Sequence, residues 1–202
     1  MADNKVRFGL KNVKYALFDA EEKTYGTLKP FPGAVSLSWS REGGEGSDFY
    51  ADDGVYYTFA GTNGGYSLEL EMAHLTDEVR ADLLGEIVDS TTGVQFETTK
   101  AEPSQFALIY ETGGDVTVAG FAFYNCKASR PETNANTKNE SPDVDTDTLA
   151  IRAAAQEFVI DGVTHPVVQS HIRKETETAE QYAAFFDHVV IPGESGESGL
   201  SA

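Results

Sequence analysis

The chain has 202 residues, with 33 Asp and Glu against 15 Lys and Arg and a formal net charge of −18, a balance that excludes binding nucleic acid through clustered cations. No apolar run approaches the ~20 residues of a membrane-spanning helix, and the single cysteine, Cys126, excludes an intrachain disulfide or a cysteine-rich metal site and reads as a small apolar residue. The length suits one domain, taken here as 1–190, that buries roughly 70% of its unfolded surface.

Met1-Ala2-Asp3-Asn4-Lys5 leads into a strand pattern without a signal-peptide core, so the expectation is synthesis in the cytoplasm. Val13-Lys14-Tyr15-Ala16-Leu17 alternates as a first strand. Val35, Leu37 and Trp39 then share one face of a second strand, with Ser36, Ser38 and Ser40 on the other. In a third, Tyr66, Leu68, Leu70 and Met72 alternate with Ser67, Glu69 and Glu71, so one face enters a core and the other carries carboxylates. Between these two strands lies a glycine-rich, acidic insert of about twenty-five residues, where a hairpin loop usually has about two to five. It holds Phe49, Tyr50, Tyr56, Tyr57 and Phe59 around the turn signal Asp52-Asp53-Gly54, which predicts a projecting hairpin built for a partner.

Leu75, Val79, Leu83 and Ile87 recur every four residues, with Leu84 and Val88 widening the stripe. Thr76 as N-cap, Asp77 and Glu78 in the first turn and Gly93 past the end predict a helix over about 76–90 that flanks a sheet. Strands follow at Phe106–Tyr110, Phe121–Tyr124 and Thr148–Arg152, the first two separated by Gly113-Gly114-Asp115. The segment 130–147 has almost no large apolar residue and reads as an exposed connection. A second short helix fits Ala179–Phe186, and 191–202 reads as a flexible tail.

Catalytic constellations are sparse. His74, His165, His171 and His188 form no zinc spacing. Asp143-Val144-Asp145-Thr146-Asp147 starts like a calcium loop, but Thr148 stands in the glycine position and Ala154 in that of the bidentate glutamate. The glycines after Arg41 are interrupted by Glu42 and Glu45, which disfavours a phosphate cradle. Glu69 and Glu71 point the same way from one strand, whereas a glycosidase needs two acids across a cleft. No enzyme, cofactor or metal is expected. A mainly β (α+β) domain with one flanking helix, a long loop and extended terminal arms fits a self-assembling structural protein.

The ordered series Val6-Arg7-Phe8-Gly9-Leu10-Lys11-Asn12-Val13-Lys14-Tyr15-Ala16, Pro32-Gly33-Ala34-Val35, Phe49-Tyr50-Ala51-Asp52-Asp53, Asn63-Gly64-Gly65-Tyr66, Asp77-Glu78-Val79-Arg80, Leu84-Gly85, Phe106-Ala107-Leu108 and Tyr124-Asn125-Cys126-Lys127-Ala128-Ser129-Arg130-Pro131 resembles the major tail protein family of long-tailed siphophages of Gram-positive hosts. The likeness covers roughly residues 5–155. Leu68 stands where many relatives have glycine, and Val118-Ala119-Gly120-Phe121 lacks the basic residues associated with that strand.

The resemblance implies a tail-tube β-sandwich or barrel that forms hexameric rings, which stack into a tube in the virion tail. It implies tape measure, tail terminator and distal tail proteins as partners, and DNA passing through the lumen without specific binding. On this reading Glu69 and Glu71 face the lumen. The long loop, about 41–62, contacts the next ring through Glu42, Glu45, Asp48, Phe49, Tyr50, Asp52, Asp53, Tyr56 and Tyr57. Two alternatives stay open: a carbohydrate-binding sandwich that stacks sugars on Trp39 or the loop tyrosines, and a ring protein of a secretion-system tube.

Overall fold

A computed structural model describes residues 7–114, 118–133, 145–175 and 177–193. The strands are β1 (Arg7–Asp19), β2 (Thr24–Tyr25), β3 (Lys29–Pro30), β4 (Ala34–Glu42), β5 (Ser47–Ala51), β6 (Gly54–Phe59), β7 (Gly65–Met72), β8 (Ile87–Val88), β9 (Gln95–Phe96), β10 (Phe106–Gly114), β11 (Ala119–Ala128), β12 (Asp147–Ala153), β13 (Gln156–Ile160), β14 (Val163–Val167) and β15 (Gln169–Arg173). Two helices, α1 (Asp77–Leu84) and α2 (Ala179–Ala184), join them. The main sheet is antiparallel in the order β2-β1-β10-β11-β12-β7-β4, with β3 beside β1 and β15 beside β11.

The sheet curls upon itself, so that Trp39 of β4 packs against Tyr110 of β10 and Phe121 and Phe123 of β11, with ring centroids 5.8 to 6.3 Å apart. Inside the curl, Tyr15, Leu68, Leu70, Met72, Leu108 and Phe123 form the larger core, and α1 closes it with Val79, Leu83 and Leu84. A second cluster on the other face of β10 and β11 packs Ile109, Ala122 and Tyr124 beneath Phe158 and the α2 segment, with Tyr182, Phe185 and Phe186.

One bulge lets β11 serve both clusters. Phe121 and Phe123 face the larger core and Ala122 and Tyr124 the second, so strict alternation would send Cys126 to the second. Instead β11 gains one residue against β10 between the pairs Leu108–Phe123 and Phe106–Cys126. Asn125 adopts φ 46° there, and Cys126 and Ala128 return to the larger core. At the same point the neighbour of β11 changes from β15 to β12. Burial pushes the Cys126 thiol pKa well up.

Several expectations change. The helix ends at Leu84, with Gly85 as a left-handed cap at φ 72°, rather than running over 76–90. Ile87 and Val88 continue the helical period in sequence but form β8, while Gly93 closes the turn to β9 by donating its N–H to Asp89 O. The second short helix expected at Ala179–Phe186 is present as α2, where Thr178 and Gln181 form a capping box. Val35 is an extra residue against β7 and lies exposed, so Ala34 takes its place beside Leu37 and Trp39.

The connection 130–147 is not exposed throughout. Asp147 is buried and accepts a hydrogen bond from Leu75 N–H at 3.0 Å. Residues 134–144, with Asp143 and Val144 of the calcium-like run, lie outside the described residues, as do Asp115 of the mid-chain turn and 194–202 of the expected tail. Ile191 packs on the second cluster, so the body continues past the expected start of that tail.

Candidate functional site: a small-residue sheet face and an aromatic hairpin

β4, β7 and β12 lie side by side, and their register fixes both faces. Across the three strands the inward rows are Leu37, Leu70 and Leu149, then Trp39, Leu68 and Ile151. The outward rows are Ser36, Glu71 and Thr148; Ser38, Glu69 and Ala150; and Ser40, Ser67 and Arg152. Burying the large side chains on one side leaves these outward rows with small residues, two carboxylates and one long side chain, Arg152, and without a ring.

Glu69 and Glu71 thus share this surface and differ in setting. Glu69 is exposed. Glu71 is half-buried and accepts hydrogen bonds from Ser36 Oγ at 2.8 Å and Thr146 Oγ1 at 2.9 Å. On these three strands the cation is Arg152, which holds Glu42 at 3.0 Å through its Nε, and β11 places exposed Lys127 opposite it. Sequence reading missed Thr148, Ala150 and Arg152 as part of the face, although the alternation of Leu149 and Ile151 carried that signal.

The insert emerges from the ends of β4 and β7. Its neck is two backbones in close approach: Thr62 N–H donates to Gly44 O at 3.0 Å and Gly64 N–H to Glu42 O at 2.7 Å. Glu45 lies exposed in this neck. A Cβ at Gly43 would overlap Thr62 O, and Gly65, at φ 107°, lies against Ala153 O, so side chains are sterically excluded at both positions.

Beyond the neck, β5 and β6 pair around Asp52 and Asp53, with φ of 53° and 61°. Positive φ at both central residues is the geometry of a two-residue type I′ turn. Register places Phe49 opposite Tyr57 and Ser47 opposite Phe59, so three rings share one face. Tyr57 and Phe59 stack edge-on at 4.9 Å. On the other face Thr58 Oγ1 donates to Asp48 Oδ1 at 2.7 Å. Phe49, Tyr50, Tyr56, Tyr57 and Phe59 are all more than half exposed, Tyr56 at 73%. A two-stranded hairpin is marginal alone in water, and this one leaves its rings uncovered among the described residues.

The chain matches the family model for the phage tail tube protein over residues 43–188. It belongs to that family. The match spans the hairpin, the face strands β7 and β12, both helices and the β13–β14 hairpin, so it runs past residue 155, where the sequence likeness weakened. It begins after β4. The tail tube protein is a structural component of the phage tail, located in the virion, and its family is one of self-assembling tail components, not of known enzymes. No curated protein sequence matches the chain significantly.

No helix among the described residues is long and apolar enough to cross a membrane. Trp39, one candidate platform for sugar stacking, is taken up by Tyr110, Phe121 and Phe123. A second exposed apolar patch, Ile87, Val94 and Phe96 on the β8–β9 hairpin, was hidden in sequence by the apparent helical stripe.

Proposed function

We propose that six copies of this chain close into a ring and that rings stack into the tail tube of a long-tailed siphophage, with the outer face of β4, β7 and β12 lining the bore. The observation that carries this reading is that face: small hydroxyls, Glu69 and Glu71, with Arg152 paired with Glu42 and Lys127 of β11 confined to its margin. Duplex DNA carries one charge per ~1.7 Å of axis, so a wall of free cations holds it while a negative wall leaves it mobile. Screening over ~8 Å at physiological salt restricts this effect to bore-facing groups.

The edges support ring closure. Among the described strands β4 pairs with β7 and β15 with β11, and neither has a second neighbour. Open edges are an aggregation liability that a closed ring removes. Stacking is a head-to-tail contact that repeats without closing. The exposed hairpin, through Glu42, Glu45, Asp48, Phe49, Tyr50, Asp52, Asp53, Tyr56 and Tyr57, makes the contact to the next ring. A tape measure protein sets the tube's length, and tail terminator and distal tail proteins cover its ends. Negative-stain microscopy of concentrated protein, with light scattering for mass, tests the reading. Hollow rings or tubes with six-fold end views are expected; a monomer that never assembles, even with a tape measure protein, contradicts it.

A further inference from the structure

Charge is segregated along β4. From Glu42 to Gly65, beyond its C-terminal end, the chain has five carboxylates and no lysine or arginine. From Lys5 to Phe18 it has four cations and no acid, in a chain of net charge −18. β1 brings two of these cations, Lys11 and Lys14, to a cleft of about 300 Å³ at the opposite end of β4. There β1 bulges at Asn12, φ 53°, and the β3–β4 connection passes with Pro30, Phe31 and Pro32. Leu10 and Ala34, the first residue of β4, complete the wall. At ~3.3 Å per residue, β4 separates this cleft from the root of the hairpin by about 26 Å.

The two ends are complementary: one projects carboxylates and rings, and the other offers a recess lined by two prolines and two lysines. They cannot meet within one copy. A head-to-tail contact joins them and leaves one of each free to repeat it. Lys14 Nζ uses one of its donors on Phe186 O at 2.7 Å, which leaves two for an incoming carboxylate. Lys11, with 57% of its side chain exposed, holds Glu111 at 3.3 Å and still faces solvent.

We propose that the tip of the β5–β6 hairpin of one copy seats in the Lys11–Lys14 cleft of a second copy, with Asp52 and Asp53 beside the ammonium groups and Tyr50 and Tyr56 against Pro30 and Pro32. This rests on the stacking reading above and names the surface that receives the hairpin. The charges set register and speed of encounter, and the rings supply the area.

The test places cysteines at Asp53→Cys and Pro32→Cys in one chain, where Cys126 is fully buried and does not compete. The two sites lie at opposite ends of β4, too far apart for a bond within one copy. Tubes assembled under reduction and then oxidised should give a ladder of linked chains on a non-reducing gel, and either single variant should not. Normal tubes of the double variant without a ladder overturn the proposal. A ladder that appears only after residues 1–6 are removed also overturns it and makes the chain's own N-terminus the occupant of the cleft. Wild-type protein that forms no tubes refutes the stacking reading instead.

A charge swap supplies an independent readout. Lys11→Glu should lower tube yield at least tenfold, and adding Asp52→Lys in the same chain should restore it. Yields that the second change does not improve, in variants that melt like wild type, contradict the pairing.

Discussion

Reversing Glu69 tests the proposed bore lining directly, because this side chain is exposed and lies outside the core. Glu69 is exposed on the outer face of β7, between Ser38 and Ala150, whereas Glu71 is held by Ser36 and Thr146. Glu69→Lys should therefore leave the melting temperature within a degree or two, as surface substitutions of this kind usually change stability by under about 0.5 kcal/mol. In the proposed ring of six copies it shifts the charge of one circle of the wall by roughly +12, at unit charges that interact across screened water. If only two of the new lysines neutralise phosphates at a time, log K gains a slope of about −1.8 against log salt. Retention of DNA then falls about tenfold between ~50 and ~200 mM salt. The assay is triggered ejection from virions carrying the variant, followed by the fluorescence of released DNA. Ejection should slow at low salt and recover at high salt, and Glu69→Gln should slow it far less. Wild-type kinetics for Glu69→Lys at low salt refute the reasoning that this residue faces the DNA.

Other outcomes follow from the fold. Leu83→Ala empties a fully buried site on α1 and should cost about 2–5 kcal/mol, read by denaturant unfolding with Trp39 as the sole tryptophan reporter. Asn125→Val forces a β-branched residue into φ 46° and removes the 3.0 Å bond from Asn125 Nδ2 to Ala155 O, so it should cost about 1–3 kcal/mol, and Asn125→Gly should cost less. Burial, the largest cause, pushes the Tyr15, Tyr25 and Tyr182 phenols well above their ordinary pKa, and carboxylate bonds from Asp82 and Glu111 add to the shifts of Tyr15 and Tyr182. The folded state keeps these protons when the unfolded chain begins to lose them. Stability is therefore fully present below ~10 and falls as pH rises from there toward the raised folded values. Melting temperatures from pH ~9 upward should decline accordingly, and a flat profile contradicts this assignment.

The parts of the fold that were legible in sequence are those where one face is buried and the period is unbroken. Tyr66, Leu68, Leu70 and Met72 alternate without a bulge, and a slip of one residue would expose all four, so β7 could be read directly. The turn at Asp52 and Asp53 was equally clear, since acidic residues beside Gly54 suit positive φ. Bulges concealed the rest. Val35, Asn12 and Asn125 each insert one residue, and nothing in composition marks which residue of an alternating run will slip out of phase. α1 was overextended for a related reason: Ile87 and Val88 keep the helical spacing, and the stop comes from Gly85 taking the left-handed cap beneath Glu102 O. The carboxylates of the face were visible from β7 alone. Its width was not, because only the register with β12 brings Thr148, Ala150 and Arg152 alongside.

The central claim is that the β4–β7–β12 face lines a closed bore, and helical reconstruction of assembled tubes by electron cryomicroscopy tests it most directly. The account predicts Glu69 and Ser38 on the inner wall of a six-fold ring, with the β5–β6 hairpin reaching into the adjacent ring. A tube in which those residues lie on the outer surface, or between rings, would contradict it.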